Sequence, residues 1–411
     1  MAWISGRRLA CAPVVTVVGI GADGWAGLPS ASRDALGAAD VVLGSARQLG
    51  LLPPEVVAER VPWPSPLLPA LPGLVEANAG RRLCVLASGD PMWFGIGVEL
   101  SALTRVDVLP HPSSASLACA RLGWALQDVE VVSAVGRPVE RLHAAVHPGR
   151  RVLVLSASGE TPAAVAALLR DRGFGPSALT VLSDLGGPTE SAVSATAESY
   201  TGPAPALNVV AVECVAGQGA RRLPRAPGLP DDVYEHDGQI TKREVRAVTL
   251  AALAPEPGEL LWDIGAGSGS VGIEWLRAHP ACRAVGVEPR PDRAARAARN
   301  AAALGVPHLD LVIGSAPDVL SGLPRPDAVF VGGGATAPDL LPACWTALAP
   351  GGRLVVNAVT LESESLVTRW HGEVGGTLTR IAVDRAGALG GFTAWQPQRA
   401  ITQWRVAKEE M

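Results

Sequence analysis

Short, nearly unbroken apolar runs recur along this chain, and stretches with helical apolar spacing follow many of them. "VVTVVGIG", "RRLCVLAS", "RVLVLS", "ALTVLS" and "LNVVAVEC" are runs of the first kind. Bounded by glycine, proline or small polar residues, they read as strands covered on both faces. "SASRDALGAADVVLG" reads as a helix and then a strand. "SSASLACARLG" is a short helix stopped at Gly123, and "TPAAVAALLRDRGFG" a helix stopped at Gly173. From Thr241 the alternation is cleaner. A helix is expected to open at Thr241, followed by "LLWDIGAGSG" as strand and glycine loop. Then come "SVGIEWLRAH" (helix), "RAVGVEPR" (strand) and "RPDRAARAARNAAALG" (helix closed by Gly305). "LDLVIGSAP", "DAVFVGGG" and "RLVVNAVT" continue the pattern, which predicts a doubly wound parallel sheet.

Between the halves, "VAGQGARRLPRAPGLPDD" is rich in proline, glycine and arginine and holds few residues able to pack. It predicts a linker over 216–232, with domains over 13–215 and 233–408. A break near "PGRRVLVL" (148–155) predicts two subdomains in the first half.

Of the 411 residues, 48% are hydrophobic and 18% charged, enough for sizeable cores. The net charge of −4 argues against nucleic acid as a main partner, since phosphate binding needs a basic surface. Lys242 and Lys408 are the only lysines among 35 basic residues. That skew follows from base composition, or it serves carboxylate recognition by guanidinium forks. The cysteines (11, 84, 119, 214, 282 and 344) form no C-x-x-C pair, and the seven histidines no H-E-x-x-H. Reduced core thiols, a cytoplasmic protein and no metal are expected. Arg7 and Arg8 precede a run that reads as a buried strand rather than a signal core, and no apolar run approaches membrane-spanning length.

Two glycine loops carry the candidate chemistry. "VVGIGADGWAGL" holds Gly19, Gly21 and Gly24 in G-x-G-x-x-G spacing, with Asp40 about 20 residues on, as in a dinucleotide fingerprint. Asp40, however, stands at the start of a strand, where a ribose-binding acid belongs at the end of one. The other loop, "WDIGAGSGSVGIE", places Asp263 just before Gly265, Ala266, Gly267, Ser268 and Gly269, and a helix follows at once. Glu288 ends the next strand, where a carboxylate can accept both ribose hydroxyls. Ala316 lies one strand later, in "IGSAP". Asp263 suits a nucleoside carrying an α-ammonium group and would repel a pyrophosphate. Thr241 and Glu244 have capping-box spacing. The helix start they predict also favours a carboxylate.

"GQITKREVRAVTLAAL", "WDIGAGSGSVGIEW", "GVEPRPDRAARAARNAAALG", "GSAPDVL", "DAVFVGGG" and "LAPGGRLVVNAVTLES" together resemble the C15-methylating, decarboxylating precorrin methyltransferases of cobalamin biosynthesis. These are class I S-adenosylmethionine (SAM) enzymes with a Rossmann-like fold. The resemblance covers 230–405 and implies SAM contacts at Thr241, Gly265, Ala266, Gly267, Ser268, Gly269, Glu288 and Ala316. "VGGG" in place of N/D-P-P-Y disfavours amino-group methylation of adenine or glutamine.

The first half resembles the tetrapyrrole methylase (class III) family, nearest its C5-methylating precorrin branch, over about 13–215. The likeness rests on "VTVVGIGADGWAGLP", "LASGDPMWFGIG", "HPSSASLACARLGW" and "VLVLSASGETPAAVAALL". It implies a two-subdomain α/β fold with the opening glycine loop near a substrate groove. A second SAM is implied at Ser88, Gly89, Asp90, Ser113, Ser114 and Ala115. Pro29 stands where that family usually has threonine, which leaves the role of Asp23 open.

Fused, the halves resemble the precorrin-6Y C5,15-methyltransferase (decarboxylating) family. That implies two methyl transfers from two SAM molecules to carbons 5 and 15 of a polycarboxylate precorrin, and loss of the ring C (C12) acetate carboxyl, giving precorrin-8. A homo-oligomer is expected, with no nucleic-acid or membrane partner. A methyl sulfonium and an electron-rich macrocycle need alignment more than a strong base. No catalytic residue is assigned. Tyr234, His236, Glu362 and Glu364 are proton-donor candidates for the decarboxylation, and Arg243, Arg246, Arg290 and Arg293 are candidate partners of substrate carboxylates. Three other readings stay open: an NAD-dependent dehydrogenase, a SAM enzyme acting on RNA or another small molecule, and a non-catalytic first half.

Overall fold

The computed structural model describes residues 14–410; Arg7, Arg8, Cys11 and Pro13 lie outside them. The apolar runs are strands, and they assemble into two units. One comprises the chain up to Val139 together with Pro148–Ala220; the other comprises Glu140–His147 and the chain from Arg221 onward.

In the first unit, β1 (Val15–Ile20), β2 (Val41–Gly44), β3 (Glu59–Pro62), β4 (Leu83–Ser88) and β5 (Val106–Leu109) form an all-parallel sheet ordered β3-β2-β4-β1-β5. Both faces are covered, which is why the runs are unbroken. Val17, Leu43 and Val85 pack in one buried cluster, while Val18, Val42 and Leu86 pack in another.

A second sheet follows, from β6 (Val129–Ser133), β7 (Arg151–Leu155), β8 (Ala178–Ser183), β9 (Ser191–Thr196) and β10 (Asn208–Glu213). Its order is β6-β7-β10-β8-β9, with only β6 and β7 parallel. It therefore opens at Val129, earlier than the break expected near 148–155. The alternating "VEVVS" of β6 gives little apolar signal.

In the second unit, β11 (Leu260–Ile264), β12 (Arg283–Glu288), β13 (Asp310–Ile313), β14 (Ala328–Val331) and β15 (Arg353–Ala358) are the expected parallel strands. The sheet extends further than the sequence pattern indicated. β16 (Thr377–Ile381) and β19 (Ile401–Ala407) add antiparallel strands, giving the order β13-β12-β11-β14-β15-β19-β16. β17 (Asp384–Leu389) and β18 (Phe392–Pro397) form a separate hairpin between them.

Two expectations need correction. The helix expected at Thr241 runs Arg243–Leu253, its N-cap is Lys242, and no side chain caps it. Glu244, the supposed capping partner, instead pairs with Arg385 at 2.5 Å. The stretch expected as an unpacked linker is anchored from Arg221 onward: Leu223 and Leu229 are buried in the core of the second unit. The carboxylate of Glu274 accepts the backbone N–H groups of Gly228 and Leu229 at 2.6 and 3.0 Å, which fixes the strap.

Candidate active sites

In the second unit the chain turns sharply after β11. Gly265, Gly267 and Gly269 have φ of +72°, +58° and +75°, the left-handed region that side chains with a Cβ rarely adopt. The turn brings the backbone of "GAGSG" to the carboxyl edge of the sheet, where β12 delivers Glu288. Glu288 is only 3% exposed. Its Oε2 accepts the Gly267 N–H at 2.8 Å, and its Oε1 accepts the Arg290 N–H at 3.1 Å. Each oxygen keeps a lone pair for a further donor. Asp263 is buried against the start of the helix Ser270–Ala278 and accepts the Gly272 N–H at 2.9 Å. Burial pushes its carboxyl up to about 7 against that hydrogen bond, and the neighbouring Glu288 adds to the rise.

These groups line a cleft of about 920 Å³. Of the residues named from the sequence, Thr241, Gly265, Ala266, Gly267, Ser268, Glu288 and Ala316 line it. Gly269 does not; it is the N-cap of the helix that follows. Asn357 also lines the cleft, and sequence reasoning missed it. It donates to Thr249 Oγ1 at 2.9 Å and accepts from Gln403 Nε2 at 2.9 Å. Its partners stand on a distant helix and on β19, so no local spacing could show it.

The first unit holds a second cleft, of about 440 Å³, lined from both of its sheets. Ser88, Gly89 and Asp90 at the end of β4 line it, as do Ser113 and Ser114 at the start of the helix Ser114–Leu122. Ala115 does not: it is fully buried in the apolar cluster under that helix. Ser113 Oγ accepts the Ser116 N–H at 3.0 Å and so caps the helix. Asp90 Oδ1 accepts the Met92 N–H at 2.9 Å, holding the "SGDP" turn. Two residues not expected here, Arg47 and Gln48, donate to Ser88 Oγ at 3.3 and 3.1 Å. Sequence spacing shows only the local feature, the reciprocal capping box of Ser45 and Gln48; the pairing with Ser88 on β4 is tertiary.

The opening glycine loop has a packing role. A Cβ on Gly19 would overlap the Gly89 carbonyl oxygen, and one on Gly21 would stand 2.8 Å from the His111 ring. Of this stretch, Ile20, Gly21 and Ala22 line the cleft. Asp40 is bound to Arg82 at 2.6 Å, and the Arg82 hydrogen bonds hold its carboxyl at about 2, below the usual carboxylate range. Asp23 Oδ2 contacts His111 Nε2 at 3.2 Å.

A model of the precorrin methyltransferase domain matches residues 232–408, and a model of the tetrapyrrole (corrin/porphyrin) methylases matches residues 14–200. A precorrin-6Y C(5,15)-methyltransferase (decarboxylating) of a Sinorhizobium species is 49% identical over 400 residues, spanning 96% of this chain and 97% of its own. Its counterpart in Mycobacterium tuberculosis is 46% identical over 402 residues, spanning 96% and 100%. The chain belongs to the precorrin-6Y C(5,15)-methyltransferase (decarboxylating) family. It is a SAM-dependent, decarboxylating methyltransferase. A shorter protein of Pyrobaculum calidifontis, a probable cobalt-precorrin-6B C(15)-methyltransferase (decarboxylating), is 36% identical over 188 residues, 43% of this chain and 96% of its own.

Family membership removes the dehydrogenase and RNA readings. It leaves the proton-donor candidates to be judged on geometry. None of the four lines either cleft. Tyr234 is buried, and its hydroxyl donates to Glu274 Oε1 at 2.9 Å. Glu364 pairs with Arg380 at 2.8 Å; Glu362 and His236 are exposed. The four arginines expected to meet substrate carboxylates are also engaged. Arg246 is fully buried between Glu274 and Asp231, Arg243 donates to Gly228 O, Arg290 pairs with Asp292, and Arg293 with Asp237.

Proposed function

We propose that each unit holds its own SAM and transfers one methyl group. The first unit serves carbon 5 of the macrocycle. The second serves carbon 15 and releases the ring C acetate carboxyl as CO2, so that precorrin-6Y (6B) becomes precorrin-8. The observation that carries this reading is that each cleft is lined wholly by residues of its own unit. The name of the Pyrobaculum relative supports a separate carbon 15 activity, because its match covers only 43% of this chain but 96% of its own length.

The donor set of the second cleft fits a nucleoside. Glu288 offers a carboxylate at the end of β12 for a ribose diol. The left-handed glycines bring backbone close to the ligand. In the first cleft, Ser88, Gly89, Asp90, Ser113 and Ser114 would hold the cofactor by backbone and hydroxyl groups, with Ala115 packed beneath. Bound SAM supplies an electrophilic methyl group on sulfur. The protein's share is to align the macrocycle carbon with it and exclude water. On loss of CO2 the C–C bonding pair passes to the macrocycle, whose protonated ring position acts as the sink.

The test uses the full chain with precorrin-6B and methyl-13C SAM, reading methyl positions by NMR and CO2 by trapping. Glu288→Ala should abolish carbon 15 methylation and CO2 release while carbon 5 methylation persists. Asp90→Ala should do the reverse. An Asp90→Ala protein with both methylations intact would leave the first unit without a catalytic role.

A further inference from the structure

The second cleft is larger than a nucleoside requires. At about 920 Å³ it stands near the top of the range of about 300–1,000 Å³ that holds drug-sized ligands. Beyond the glycine loop and Glu288 its wall changes character. Val359, Ile381, Val383 and Ile401 form an apolar face there. Such a wall suits the flat side of a macrocycle whose periphery is charged.

The charges around this cleft can be assigned one by one. Four basic residues line it: Lys242, Arg293, Arg385 and Arg399. Arg293 is bound to Asp237 at 2.9 Å and to Gln239 Oε1 at 2.8 Å. Arg385 is bound to Glu244 at 2.5 Å. The acids Asp263 and Glu288 are satisfied by backbone N–H groups. Lys242 and Arg399 remain. Neither side chain has a hydrogen bond or ion pair among the described residues. Lys242 stands at the N-cap of the helix Arg243–Leu253, and Arg399 in the turn between β18 and β19. One of the chain's two lysines thus faces this cleft.

We propose that Lys242 and Arg399 anchor two peripheral carboxylates of the macrocycle, and that neither pairs with the acetate that is lost. This rests on the reading of the second unit given above. The reason for the exclusion is energetic. A carboxylate that leaves as CO2 gives up its charge to the ring, so a cation bound to it would stabilise the ground state and raise the barrier. The cations therefore hold carboxylates that persist in the product, and the leaving acetate lies away from them. Lys242 and Arg399 are anchoring residues that act on substrate binding.

Full-chain Lys242→Met and Arg399→Met, singly and together, are assayed by CO2 release with saturating SAM and varied precorrin-6B. Each single change should raise KM roughly tenfold, as expected for one charge-assisted contact, and kcat should hold within about threefold. Lys242→Arg should restore KM. SAM affinity, measured by calorimetry, should stay at the wild-type value. Unchanged KM in the double variant overturns the proposal, and so does a fall in kcat at unchanged KM. CO2 release that survives Glu288→Ala would overturn the parent reading instead, so the two failures are distinct.

Discussion

A Cβ on Gly19 has no room, because the carbonyl oxygen of Gly89 occupies its place and the backbone nitrogen of His111 stands at 2.6 Å. The first glycine motif is thus a surface on which β1 receives the turn after β4. Its spacing matches a nucleotide fingerprint, yet its cause is packing against the "SGDP" turn that lines the first cleft. Gly19→Ala should destabilise the first unit by about 1–3 kcal/mol, the usual cost of overpacking where backbone must move. Thermal denaturation measures it. Carbon 5 methylation should fall, while CO2 release by the second unit continues.

Asp263 carries a pH signature. Its folded pKa of about 7 lies above the ordinary aspartate value of 3.8, because burial disfavours the charged form. The unfolded chain therefore gives up this proton at lower pH than the folded one. Stability is fully held below the unfolded pKa, falls as pH rises toward 7, and is level above it. Asp263→Asn keeps an oxygen for the Gly272 N–H and removes the titration. Between pH 4 and 8 the stability difference between variant and wild type should move in favour of the variant by a few kcal/mol. Each pH unit that separates the folded from the unfolded pKa is worth about 1.4 kcal/mol. Chemical denaturation across that range would show it; parallel curves would contradict it.

Arg246 was a candidate for substrate contact on sequence position, but its guanidinium is fully buried. It bonds Glu274 at 2.6 Å and Asp231 at 3.1 Å and lies over the Tyr234 ring at 4.7 Å. Arg246→Met should cost roughly 3–5 kcal/mol, because it leaves the buried Glu274 charge without its partner. The loss should appear as a lower midpoint for the second unit. KM for the macrocycle in the protein that remains folded should not change.

The central parallel strands were legible because sheets covered on both faces need unbroken apolar runs, as in "LLWDI" and "AVFV". The parallel edge strands β3 ("ERVP"), β5 ("VDVL") and β6 ("VEVVS") were not, because charged residues interrupt them. β16 was not, since its "TLTRI" alternates weakly and most of it is exposed. The glycine loop of the second cleft was legible because its left-handed backbone demands glycine at fixed offsets, and Glu288 because it ends the next apolar strand run. Asn357, Arg47 and Gln48 were not legible as site residues, because tertiary pairing brings them to their clefts. Among the basic residues sequence could name the neighbourhood only. Arg246 and Lys242 are four positions apart, yet one is buried in an ion-pair network and the other lines the cleft.

On the proposed reading, the chain holds two independent SAM sites. Calorimetric titration of the full-length protein with SAM should give two equivalents per chain. Glu288→Ala and Asp90→Ala should each remove a different one. One equivalent in the wild type, or a single variant that abolishes both, would contradict it.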